Sequence, residues 1–99
     1  MPVDISEYIG LAQDGQGSKV PTGAEPAKVQ QQVVVSGGSV QSDAFADSTR
    51  FVRVHTDVAV RIKFGANPSA DGSSMRMGPG STEFFGVTPG HKMAVIQTT

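Results

Sequence analysis

Two histidines, His55 and His91, nine acidic side chains and a scatter of serines are the groups in this chain that could hold a metal or move a proton. Their spacing favours neither. The histidines lie in separate segments, and no carboxylate or second histidine falls at ligand spacing on the same strand, so no metal centre is expected. None of the acids sits in an apolar segment, where burial would raise its pKa and make it a general acid. No serine stands in a GxSxG turn. The glycine-rich pieces SGGS (36–39) and MGPGS (77–81) lack the lysine and the strand-to-helix setting that a phosphate loop needs. There is no cysteine, so thiolate ligation and a disulfide framework are excluded. Neither catalysis nor a cofactor is expected.

The remaining chemistry is that of contact. Met75 and Met77 flank Arg76 in a glycine-bounded segment, and methionine is a compliant contact residue. A loop folded over the end of a core explains the pair equally well. Phe84 and Phe85 are adjacent, so on a strand they face opposite sides. One can fill a core, while the other needs a second cover from the N-terminal segment, a second sheet or a neighbouring subunit.

These residues must be positioned by strands. Between Thr49 and Gly65, Val52 and Val54 oppose Phe51, Arg53 and His55, and then Val58, Val60, Ile62 and Phe64 oppose Ala59, Arg61 and Lys63. A period of two marks half-buried strands. Thr56-Asp57 between the runs is short enough for a tight hairpin. That pairing would place Arg53, His55, Arg61 and Lys63 on a charged face that is exposed or lies at an interface. Val29–Ser36 reads as an earlier strand, Gly37-Gly38 as a turn and Ser39–Ser42 as a possible return. Asp43–Ser48 is ambiguous, with Phe45 as its anchor. Asn67-Pro68, Asp71-Gly72, Pro79-Gly80 and Pro89-Gly90 punctuate short strands at Ser74–Met77, Thr82–Val87 and Met93–Ile96. Such spacing describes an all-β protein, a small sandwich or barrel of about six to eight strands.

Residues 1–28 read differently, as an extended arm before a β domain at 29–99. Ile5, Tyr8, Ile9 and Leu11 are expected to form one or two helical turns with apolar contacts, with Asp4 as cap. The Gly- and Pro-rich run that follows rarely folds alone. An arm of this kind orders on a neighbour, and removing residues 1–28 is expected to leave a folded core.

Composition fits a domain that completes its burial elsewhere. The 99 residues make about one domain, and their apolar share of 37 % is low against an average of roughly 45–50 % counted with glycine. Residues 1–49 hold six acidic and two basic side chains, and residues 50–99 hold three and six, so halves of −4 and +3 can attract one another between copies. The basic residues are neither clustered nor interleaved with aromatics, and no nucleic-acid partner is expected. No apolar run is long enough for a membrane span or a signal peptide, and the opening MPVDISEYIG has no basic residue. Synthesis in a cytoplasm is the expectation.

Read as a whole, the chain resembles a group of small structural proteins of tailed-bacteriophage virions. The resemblance is carried, in order, by ISEYIGLAQDGQG and VPTGAEPA near the start, STRFVRVHTD in the middle, FGANPSA, and the closing GSTEFFGVTPGHKMAVI. It implies a capsid decoration (cement) protein, or a head–tail, neck or tail accessory protein, assembled into the virion in the host cytoplasm. The implied partners are the major capsid protein, other virion proteins and further copies of the chain, with a trimer one arrangement. On that analogy Ile5, Tyr8, Ile9 and Leu11 contact the shell or a neighbour, and Arg53, His55, Arg61 and Lys63 lie exposed or against acidic shell residues. Met75, Met77, Phe84 and Phe85 complete the expected interface. A virion-displayed adhesion module is the alternative. It calls for exposed planar aromatics in a chain that has one Tyr and no Trp.

Overall fold

A computed structural model describes residues 2–13 and 19–99; Met1 and residues 14–18, part of the expected arm, lie outside the described residues. The fold is an all-β sandwich of two four-stranded antiparallel sheets, and no helix occurs among the described residues. The first sheet has the order β4 (Val29–Val34), β1 (Pro2–Tyr8), β6 (Phe51–Thr56), β9 (Thr82–Gly86). The second has the order β5 (Val40–Gln41), β10 (Lys92–Gln97), β7 (Val60–Gly65), β8 (Met75–Met77). A separate two-stranded ribbon pairs β2 (Leu11–Gln13) with β3 (Lys19–Gly23), with a register shift between Leu11 and Gln13.

Alternation sets what faces inward. Val3, Ile5, Val33, Val52 and Val54 of the first sheet meet Val60, Ile62, Met77, Met93 and Val95 of the second, and each is 4 % exposed or less. Phe45 drops into the same core from the 42–50 connection. That connection is held by backbone bonds, from Phe45 N–H to His91 C=O (2.8 Å) and from Gly90 N–H to Phe45 C=O (3.0 Å). The stretch that was ambiguous in sequence is thus a loop closing one end of the sandwich.

Three expectations are corrected. First, Ile5 to Leu11 forms no helical turn. Pro2–Tyr8 is an inner strand, hydrogen-bonded to β4 on one side and β6 on the other. The part of the expected arm that stands apart from the sheets therefore begins after Tyr8. The apolar alternation of Val3 and Ile5 was hidden because the next inward residue is Glu7.

Second, Phe51–Thr56 and Val60–Gly65 are strands but not a hairpin. They lie in different sheets, joined by an arch at Asp57–Ala59. Thr56, fully buried, shapes the arch by donating its hydroxyl to Val58 C=O (2.7 Å) and accepting from Val58 N–H (3.3 Å). Both runs point their valines into one core, so crossing over satisfies the pattern as well as pairing would. From β4 onward every link changes sheet except β7 to β8.

Third, the charged face divides. Arg53 and His55 lie on the outer side of the first sheet, and Arg61 and Lys63 on the outer side of the second.

Candidate functional site

On the outer face of the first sheet, register sets side chains in cross-strand rows. One row runs Gln32, Asp4, His55, Thr82. The next runs Gln30, Ser6, Arg53, Phe84. Beyond it Tyr8 lies beside Phe51.

The aromatic end is packed from two directions. Tyr8 stacks on Phe51 with ring centroids 5.3 Å apart, and Phe84 leans against both, at 6.4 Å from Tyr8 and 6.0 Å from Phe51. The chain returning from β3 lies over Tyr8. A Cβ on Gly23 would overlap the Tyr8 ring, so this close approach requires glycine. The Tyr8 hydroxyl donates to Glu25 Oε2 at 2.6 Å, and Glu25 Oε1 accepts from Ala27 N–H at 3.0 Å. Tyr8 is thereby 3 % exposed although it points away from the core, while Phe84 remains 49 % exposed.

Desolvation, then the hydrogen bond to Glu25 and its charge, push the Tyr8 phenol above its ordinary value of 10.0. The neutral phenol is the form the fold prefers. Its contribution is complete below the unfolded-state value and is lost as pH rises through the folded-state one. Tyr8 is the chain's one tyrosine, and there is no tryptophan, so tyrosinate absorbance reads this site alone. We expect a midpoint above 10.0 in the native protein. Glu25→Gln should lower it without fully restoring the ordinary value, because desolvation remains. A native midpoint at or below 10.0 would refute the packing described.

The polar end is more open. A shallow groove of about 540 Å³ runs over Asp4, Ser6, Gln30, Gln32 and Arg53. It adjoins a hollow of about 380 Å³ that reaches Tyr8, Glu25 and Phe84. Gln32 Nε2 donates to Asp4 Oδ1 at 2.8 Å, fixing both groups. Arg53 is half-buried and enters no ion pair among the described residues.

His55 is held between Thr82 Oγ1, 2.7 Å from Nδ1, and Asp57 Oδ1, 3.0 Å from Nε2. A hydroxyl, an imidazole and a carboxylate in this order can relay a proton. The trio is set apart from both hollows on this face, neither of which Thr82 or His55 lines. It ties β9 and the arch to β6. Among the described residues no group of three or more His, Asp or Glu side chains could hold a metal ion.

The residues expected at an interface are distributed as follows. Ile5 and Met77, each 1 % exposed, are core. Tyr8 lies under the returning chain, and Phe85 packs inward against Phe64 at 5.1 Å. Ile9, Leu11 and Met75 are exposed at 55 %, 39 % and 48 %. Arg61 donates to Ser74 C=O at 2.9 Å, and Lys63 is exposed. The structure brings Tyr8, Arg53 and Phe84 together on one face with Asp4, Ser6, Glu25, Gln30 and Gln32, none of which had been singled out as a contact residue. The unbroken run Gln30-Gln31-Gln32 gave no alternation to say which of the three glutamines would face outward. Comparison of the chain with protein-family models, curated proteins and solved structures finds no match.

Proposed function

We propose that this chain is a structural protein of a tailed-bacteriophage virion, acting as a head decoration (cement) protein that binds neighbouring subunits. The observation that carries the assembly role is the β2–β3 ribbon. Its strands pair with each other and with neither sheet, and the chain entering it exposes Ile9 and Leu11. Exposed aliphatic residues beside a ribbon that belongs to neither sheet gain burial only against another surface. The opposite charge balance of the two halves favours contacts between copies, a trimer among them. The ordered set of phage-like segments supplies the virion context.

The partners in this reading are the major capsid protein and further copies of the chain. Two measurements test it. Mass spectrometry of purified virions should find the chain near equimolar with the major capsid protein. A share of a few per cent would move it to the neck or tail, and absence would overturn the proposal. The double variant Ile9→Asp/Leu11→Asp should keep its melting temperature, since exposed substitutions usually change stability by within ~0.5 kcal/mol. It should nevertheless be lost from particles. Wild-type incorporation of the variant would remove the ribbon root from the interface.

A further inference from the structure

We propose that the outer face of the first sheet is a binding site for a neutral oligosaccharide, with Arg53 at its centre and Phe84 as its stacking platform. This goes beyond the assembly role and does not rest on it. The row from Gln30 through Ser6 and Arg53 to Phe84 crosses four strands, a span of about 14 Å at the usual strand spacing. That is longer than one sugar ring, and the groove along it is open at the surface.

The lining decides the ligand class. Asp4, Gln30, Gln32 and Arg53 each present a planar pair of polar atoms, which suits neighbouring hydroxyls that both donate and accept. Among the described residues, Gln30 and Arg53 form no side-chain hydrogen bond with the rest of the chain, so their donors remain available to a ligand. An apolar ligand would strip water from these groups without replacing it. An anion would meet Asp4 and Glu25 on either side of Arg53, and a cation would meet Arg53 itself. A hydroxyl-rich neutral molecule meets no such penalty.

Phe84 completes the match. Half exposed beside the polar row, it offers a flat apolar surface to the C–H face of a sugar ring. Its orientation is supported from behind by Tyr8 and Phe51. An extended peptide is the poorer fit, because its backbone groups are satisfied at a sheet edge rather than across side chains on a face. The site rests on paired strands, and the Gln32–Asp4 bond orients two of its groups in advance.

The test is an array of neutral oligosaccharides of glucose, mannose, rhamnose and N-acetylglucosamine, probed with the full chain. Hits are then titrated by amide NMR. At least one glycan should bind, with shifts concentrated on β4, β1, β6 and β9. Arg53→Ala and Phe84→Ala should each weaken Kd by about tenfold or more, and Arg53→Lys should restore little because it loses the planar donor pair. Gln32→Ala, an exposed change, keeps the test independent of folding. Met75→Ala on the other sheet should bind normally. An array silent at millimolar glycan, shifts mapping elsewhere, or undiminished binding by folded Arg53→Ala would each overturn the site. Binding of a peptide library to this face with the glycans silent would overturn it in favour of a peptide.

Discussion

A chain shortened to residues 29–99 will not fold. Its amide spectrum should collapse to random-coil dispersion, and its circular dichroism should show no cooperative melt. The deletion removes β1, the strand between β4 and β6, and leaves the facing edges of both without partners. Val3 and Ile5, at 0 % and 1 % exposure, leave the core with it. Burial of each is worth roughly 1.5–3 kcal/mol, and the unpaired backbone groups of two strands add to the loss. The native margin of a domain this size is only about 5–15 kcal/mol. By contrast, the chain between Tyr8 and Lys28 can be shortened, because Lys28 N–H already bonds Glu7 C=O at 2.7 Å. A dispersed spectrum from residues 29–99 would show that the second sheet and the remnant of the first suffice. That outcome would restore the view of residues 1–28 as a dispensable arm.

Glu7→Ala should be the most damaging single substitution outside the aliphatic core, with a loss of about 3 kcal/mol. In melting temperature this is a fall on the order of 15 °C. Glu7 is 1 % exposed on the inward side of β1. Its Oε1 accepts from Thr49 Oγ1 at 2.7 Å and from Ala46 N–H at 2.9 Å, and its Oε2 accepts from Gln31 Nε2 at 3.1 Å. One carboxylate thus fastens the 42–50 connection to the sheet and orients Gln31, whose Oε1 in turn accepts from Asp43 N–H at 3.0 Å. Truncation leaves three donors facing a cavity, and an unmatched buried donor costs more than a bond contributes. Glu7→Gln should cost less, since one amide oxygen can still serve Thr49. Thr49→Val should cost little in the Glu7→Ala background, because the two groups act on each other. A Glu7→Ala variant that melts within about 2 °C of the parent would show the carboxylate to be incidental.

Glu7 also marks where the apolar alternation breaks. An inward carboxylate broke the apolar run of Val3 and Ile5, so a strand at the centre of a sheet read as part of an arm. Its role depends on Gln31, Ala46 and Thr49, which lie 24 to 42 positions away in the chain. The opposite facing of Phe84 and Phe85 was, by contrast, legible at once. Phe85 lies across from Val52 toward the core, and Phe84 across from Arg53 on the outside. The candidate binding face was half legible: Tyr8, Arg53 and Phe84 were singled out separately, but nothing in their spacing said that they would meet.

What the sequence by itself determined, from Val29 onward, is which stretches are strands and, where apolar residues alternate, which side faces inward. Alternation of apolar residues is a local property, and Gly and Pro interrupt it wherever they fall. Which strands become neighbours was decided only in the tertiary structure. Val52 and Val54 would be buried equally well beside Val60 and Ile62 in one sheet or across from them in another. A period of two specifies a face but not a partner. The partner is chosen by the whole set of contacts, including a β1 strand that separates β4 from β6 and a buried Glu7 that closes the end of the sandwich. The row of Gln30, Ser6, Arg53 and Phe84 exists because that choice was made.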